Sequence, residues 1–269
     1  MIETLLHFPV QGQRVMGTLC LPQGGPAPVV LMVHGFTGSR DEMPVAGTGE
    51  GVFSRCARRL ALQGLASLRI DCRGSGTSEG DFADTTYEGQ IADVLAALEV
   101  LAQDPRVQGQ RVALLGWSQG GLVAACVAAR SQHPSATALW AAVADPVESF
   151  GAILGADVLA AGLKTGDQAL EIFLSDKTIA LKQGYFDAVM TLKPTEEIRH
   201  YAGPLFVAHG QADTAVLPHA ADLYLEAHKG KQQAWIAHMD HSFNATQSPQ
   251  MLDSLLDATA TFFKQNGLA

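Results

Sequence analysis

Ser118 lies in Gly116-Trp117-Ser118-Gln119-Gly120, a G-x-S-x-G stretch between two apolar runs. A serine can attack a carbonyl carbon only if a nearby base takes its proton. The run "RVALLG" before it reads as a strand, and "GGLVAACVAARSQ" after it as a helix. That strand–turn–helix context gives the motif its meaning. Side chains on the flanking glycines would crowd the tight turn, and the turn lifts the hydroxyl off the sheet. The helix behind it aims backbone N–H groups and a positive dipole end at the same spot.

Nine histidines could supply the base. His241, in "HMDHSF", follows the strand "QQAWIAH", where the chain returns to the top of the sheet. His238 falls at the end of that strand, where a packed or hydrogen-bonded ring is expected. His34, before Gly35 and Phe36, suits ordering a loop. His209, in "VAHGQAD", ends a strand and reads as structural, and His133, His219 and His228 fall on helix ends or surfaces. The acid that fixes the tautomer of the base is expected at Asp213. It lies 28 residues before His241, which leaves room for one helix and one strand. Asp240 adjoins His241 and would point elsewhere on an extended chain. The tetrahedral oxyanion needs backbone donors: the N–H of Gln119, after the nucleophile, and the N–H of Phe36 in "VHGFTGS".

These residues need a scaffold, and the pattern along the chain supplies one. "LLHFPV" and "RVMGTLCL" read as two strands joined by the turn-forming "QGQ". "PVVLMV" and "LASLRI" are continuous apolar runs, as expected of strands buried on both faces. "EGVFSRCARRLALQG" and "YEGQIADVLAALEVLAQ" have helical periodicity. "TALWAAV", "PLFVAHG" and "QQAWIAH" are further strands, with helices from about Pro218 to Lys229 and Pro249 to Lys264. Strands alternating with helices imply a mainly parallel α/β sheet, led in by an antiparallel hairpin. From Asp145 to about Tyr201 there is no strong strand signal. That stretch reads either as ordinary helices or as a cap over the carboxyl ends of the strands, where open α/β sheets bind ligands.

Hydrophobic residues make up 47% of the 269 residues, enough for a sizeable core. A net charge of −9 argues against a nucleic-acid binder. The start lacks the pattern of a signal peptide, and no apolar run approaches a membrane span. The cysteines Cys20, Cys56, Cys72 and Cys126 are widely spaced among apolar neighbours, and read as reduced thiols of a cytoplasmic protein.

In this order and spacing, "HGFTGS", "DCRGSGTSEGDF", "GWSQGG", "HGQADT" and "DHSF" resemble the α/β-hydrolase superfamily over nearly the whole chain. Within it the sequence is similar to bacterial cinnamoyl or feruloyl esterase-like carboxylesterases. Trp117 departs from the feruloyl group, which more often carries histidine there. The resemblance implies an eight-stranded, mainly parallel sheet with helices on both faces. Its core would span residues 1–144 and 202–269, with a helical cap of residues 145–201 inserted over the active site. It implies a serine esterase with Ser118 as nucleophile, His241 as base and Asp213 as acid, and Phe36 and Gln119 as oxyanion donors. The cap would shape an acyl pocket, with Trp117, Phe150, Phe173 and Tyr185 as candidate lining. No cofactor or metal is required. The expected partner is a small-molecule ester, with no nucleic acid or membrane, and a homodimer is allowed.

Other chemistries fit less well. The glycines at 74, 76 and 80 do not make the dinucleotide fingerprint. A metal site from His238, Asp240 and His241 lacks ligand spacing and leaves Ser118 unexplained. A dehalogenase would carry a carboxylate in place of Ser118. An amidase or peptidase could use the same triad, and a non-catalytic binding protein could use the same fold.

Overall fold

The computed structural model describes residues 1–174 and 177–268. β1 (Ile2–Val10) and β2 (Gln13–Leu21) form the leading hairpin. Then come β3 (Ala27–Val33), α1 (Val52–Leu62), β4 (Ala66–Asp71), α2 (Tyr87–Gln103), β5 (Val107–Trp117), α3 (Gln119–Ser131) and β6 (Ala136–Trp140). These strands join β9 (Leu205–Gly210) and β10 (Gln232–Ala237) in one eight-stranded sheet, in the order β1-β2-β4-β3-β5-β6-β9-β10. β1 and β2 pair antiparallel to their neighbours, and the rest of the sheet is parallel.

The apolar runs are continuous because both faces of the sheet are covered. Val29, Leu31 and Val33 of β3 join Val112 and Leu114 of β5 in a core that includes Ile91, Val94 and Leu98 of α2 and most of α3. The alternate residues Val30, Met32, Ala113 and Leu115 face a second core, with Phe53, Cys56 and Leu60 of α1. That second core also takes Leu252, Leu255 and Phe262 of α9 (Gln250–Phe263). The period of two thus assigns one residue to each core in turn. All four cysteines are free and buried.

Sheet order fixes where a site can form. After β3 the chain turns back through α1 to β4 on one side, and β5 then takes the place on the other side of β3. The loops leaving the carboxyl ends of β3 and β5 therefore diverge, opening a crevice between them. Val33 pairs with Gly116, so the two strands end level and His34-Gly35 lies beside Trp117-Ser118.

Between β6 and β9 run α4 (Pro146–Leu154), α5 (Ala156–Gly162), β7 (Leu170–Leu174), β8 (Lys177–Leu181), α6 (Gln183–Thr191) and α7 (Pro194–Glu197). The β7–β8 hairpin corrects the expectation of a strand-free segment. Each strand has five residues, with only Ile172 and Leu181 buried. So short and exposed a pair leaves almost no alternation in sequence, and its order comes from the two strands meeting. Phe150, Leu159, Ile172, Tyr185 and Phe186 share the core of α2 and α3, so the segment packs on the body of the sheet.

Candidate active site

The turn after β5 is as tight as the glycines imply. A Cβ on Gly116 would collide with the Gly120 carbonyl, and one on Gly120 with the carbonyls of Val33 and His34. Ser118 sits at φ 57° and ψ −120°, a conformation L residues rarely adopt. Its N–H is held by Trp140 O at 2.9 Å and its carbonyl accepts from Gly121 at 3.0 Å and Leu122 at 3.3 Å. The side chain is left to project between the loops at the N-terminus of α3.

The loop after β3 lies directly against it: the point where a Gly35 Cβ would sit is 3.4 Å from Ser118 Cβ. His34 is buried, and burial pulls its imidazole below the usual range, against the opposing effects of the Gly35 carbonyl and Asp71. A neutral ring suits its contacts, since Nε2 accepts the Cys72 N–H at 3.1 Å while Nδ1 donates to Gly35 O at 2.8 Å. Gly38 N–H reaches the same carbonyl at 3.1 Å. Holding this carbonyl fixes the opposite end of its trans peptide, the Phe36 N–H. Neither that N–H nor the Gln119 N–H has a protein acceptor among the described residues. A second tie runs through Asp71, whose carboxylate accepts from Arg40 N at 2.7 Å, Thr77 N at 2.9 Å and the Arg40 guanidinium. This is the structural use of the "DCRGSGTSEG" stretch: it anchors the loop after β3 to the loop after β4.

Asp213 and His241 meet as the spacing implies. His241 Nδ1 donates to Asp213 Oδ2 at 2.7 Å, which leaves Nε2 without a partner among the described residues. Burial pushes the Asp213 carboxyl up. Hydrogen bonds from His209 and His241, the positive potential of His241 and the Val216 amide outweigh it and hold the group well below the carboxylate range. Ala215 and Val216 N–H groups reach Oδ1 at 2.9 and 3.0 Å, and His209 Nε2 lies 3.3 Å from Oδ2. An ionised carboxylate only accepts, so a proton of His241 is held on Nδ1 toward Asp213 and Nε2 is left out of that contact. Ser118 Oγ is not hydrogen-bonded to that nitrogen. Such bonds are often long in a free enzyme and close around substrate.

Ser118 and His241 line one cleft of about 540 Å³, together with Phe36, Met43, Trp117 and Lys177. The Trp117 ring packs 5.8 Å from the His241 ring. Phe150 and Tyr185 are placed behind the cleft, with ring centroids 5.1 and 5.5 Å from that of Phe36. Tyr185 Oη donates to Gln119 Oε1 at 2.8 Å, and Gln119 Nε2 donates to Gln90 Oε1 at 2.9 Å, so the Gln119 side chain is engaged away from the cleft. Phe173 is 78% exposed on the hairpin and is not brought to the cleft. His238 is also exposed, contrary to the packed ring expected at the strand end. His209 is buried and supports Asp213, in keeping with its structural reading, whereas the residues that sequence reasoning missed are Gln90, Met43, Lys177 and Glu42. Burial pushes the Glu42 carboxyl up to about 7, against the amides of Gly35 and Met43 and the charge of Lys177. None of the four has a local signal, because each is brought in by an element distant in the chain or by an irregular loop. Among the described residues no group of three or more His, Cys, Asp or Glu is gathered as a metal would need.

A family model, the prolyl oligopeptidase family, matches residues 52–266. The chain belongs to the prolyl oligopeptidase family. That stretch runs from α1 through α9 and holds Ser118, Asp213 and His241; the Phe36 loop precedes it. The eight-stranded, mostly parallel sheet is that of the α/β hydrolases. Among solved structures, the α/β hydrolase GrgF of Penicillium sp. sh18 is similar at a TM-score of 0.78 and 18% identity, over 99% of each chain. Est1E of Butyrivibrio proteoclasticus, seen with ferulic acid bound, is similar at a TM-score of 0.77 and 21% identity, over 97% of this chain and 98% of that one. Polyketide transferase ATR5 of Stachybotrys chlorohalonatus is 27% identical over 116 residues, 43% of this chain and 36% of its own length. The chain thus spans little more than a third of the length of the curated relatives it matches. No described helix is long and apolar enough to cross a membrane.

Proposed function

We propose that this protein is a serine hydrolase of carboxylic esters with small to medium apolar or aromatic acyl groups, working through an acyl-enzyme. The carrying observation is the 2.7 Å bond from His241 Nδ1 to buried Asp213, with Ser118 on a strained turn in the same cleft. In this reading His241 Nε2 takes the Ser118 proton as Oγ attacks the acyl carbon. The Phe36 and Gln119 N–H groups receive the oxyanion, and His241 returns the proton to the leaving alcohol. Water then repeats the attack and frees the acid. Each oxyanion donor contributes about 3 kcal/mol to the transition state. The apolar cleft surface of Phe36, Met43 and Trp117 supports the acyl preference, and the free buried cysteines support a reducing, cytoplasmic setting.

The test is a kcat/KM series on p-nitrophenyl esters, hydroxycinnamate esters and aminoacyl anilides, with fluorophosphonate labelling. Ser118→Ala should abolish labelling and leave at most roughly 10³-fold acceleration over water. His241→Ala should lower kcat by several orders of magnitude, while the exposed His238→Ala stays near wild type. Wild-type turnover by Ser118→Ala would refute the mechanism. Amide cleavage by the same triad is the second reading, favoured by the family match, and preferential turnover of the anilides would select it.

A further inference from the structure

Glu42 is the acidic side chain of the cleft that the reaction of Ser118, His241 and Asp213 leaves unused. The point where a Gly35 Cβ would sit is 3.4 Å from Ser118 Cβ and 3.6 Å from Glu42 Oε1, so nucleophile and carboxyl flank one glycine. Oε1 accepts the Gly35 N–H at 2.6 Å and the Met43 amide also favours the charged carboxyl, but no side chain among the described residues pairs with it. The neighbours Arg40 and Asp41 are engaged elsewhere, with Asp71 and Arg69. Lys177, on the hairpin side of the cleft, donates to Thr37 O at 3.3 Å and makes no ion pair with Glu42.

We propose that Glu42 is a specificity-determining residue that selects esters carrying a hydrogen-bond donor, an ammonium or a hydroxyl group, beside the scissile bond. The proposal rests on the ester-hydrolase reading above. Glu42 is half-buried, so a substrate that closes over its carboxyl strips water from it, and one lacking a donor leaves the acceptor unpaired, which is how polar sites discriminate more strongly than apolar ones. The carboxyl titrates at about 7, so the cleft presents an acceptor above that pH and a neutral, donating acid below it. The charged or titratable groups facing Glu42 are Lys177 from the hairpin and His241 across the cleft. A ratio of kcat/KM values for two substrates cancels the ionisation of His241, which both share, and leaves that of Glu42.

The experiment compares ethyl 3-aminobutanoate, ethyl 3-hydroxybutanoate and ethyl 3-methylbutanoate, with the donor on the acyl side. A second set, 3-aminopropyl, 3-hydroxypropyl and butyl butanoate, places it on the alcohol side. Acid release is measured at about pH 6 and about pH 8, where the ammonium stays charged. In at least one set the wild type should favour a donor-bearing ester by about tenfold at the higher pH, and by less at the lower. Preference for the ammonium over the hydroxyl member shows that the charge of Glu42 contributes. Glu42→Gln keeps an oxygen for the Gly35 N–H but turns an NH₂ toward the cleft, so its ratios should fall to about one at both pH values. Ratios that are flat with pH, or unchanged by Glu42→Gln, overturn the proposal. Fluorophosphonate labelling of Ser118 separates the two readings. Labelling with unchanged ratios sinks only the selectivity, and loss of both labelling and turnover in the wild type sinks the ester reading with it.

Discussion

Ser118 carries a backbone conformation that costs about 1–3 kcal/mol, held in place by its hydrogen bonds to Trp140, Gly121 and Leu122. Ser118→Gly should therefore raise the melting temperature while ending turnover, because glycine adopts this conformation without strain. Calorimetry decides it, and a lowered melting temperature would place the strain elsewhere. Asp213 gives a second residue-scale outcome. Its folded-state carboxyl is depressed, so the unfolded chain binds its proton first as pH falls. The stability it contributes is present above the ordinary carboxylate range of about 4 and is lost as pH drops toward the folded value. Asp213→Asn should flatten the acid side of the stability–pH curve, and should also lower kcat by roughly 10⁴-fold through the wrong His241 tautomer. Urea unfolding across the acid range, beside kcat, checks both effects. An unchanged acid limb would remove Asp213 as a source of pH dependence.

At the scale of elements, the site is a contact between the ends of β3 and β5. Gly120 touches the carbonyls of Val33 and His34, so a methyl there must push the two strand ends apart. Gly120→Ala should lose roughly 3 kcal/mol or more, and fluorophosphonate labelling should fall with it, because the serine and the Phe36 loop move together. A stable Gly120→Ala protein with normal labelling would mean that the two ends are not rigidly coupled. Asp71 couples the next pair of loops by accepting from Arg40 and Thr77, which explains why an acid-and-glycine stretch with no part in proton transfer sits so near the chemistry.

At the scale of the whole molecule, the cleft is bounded by the body of the sheet and by the hairpin between β6 and β9. Met43 lines it, whereas Phe173 stands on the outside of the hairpin. Met43→Ala should shift the acyl-length optimum toward longer chains, with about 1–3 kcal/mol of discrimination available per methylene. Phe173→Ala should give a profile superimposable on the wild type. A kcat/KM series over acyl lengths tests both, and a Phe173→Ala profile that changes would bring that ring into the acyl site.

Some of this was decided by local sequence. Continuous apolar runs declared β3 and the latter half of β5, because a strand covered on both faces has few polar positions to spare, whereas β4 alternates Ala66, Leu68 and Ile70 with the buried polar residues Ser67, Arg69 and Asp71. Gly116 and Gly120 declared the turn because no other residue fits between two backbones. The pairing of Asp213 with His241 was legible because each follows its own strand, and parallel neighbours bring their carboxyl ends to the same edge. The rest depended on tertiary contacts with no footprint in nearby residues. β7 and β8 are too short and exposed to show a period and exist by pairing with each other. Phe173 and Tyr185 look alike as apolar aromatics, and only the packing turned one outward and tied the other to Gln119. His209 gained its contact with Asp213, and Glu42 its perturbed carboxyl, from the irregular loops around them. Periodicity and steric exclusion act over a few residues and leave a trace in sequence, whereas burial and partner choice are set by segments that meet only after the chain has folded.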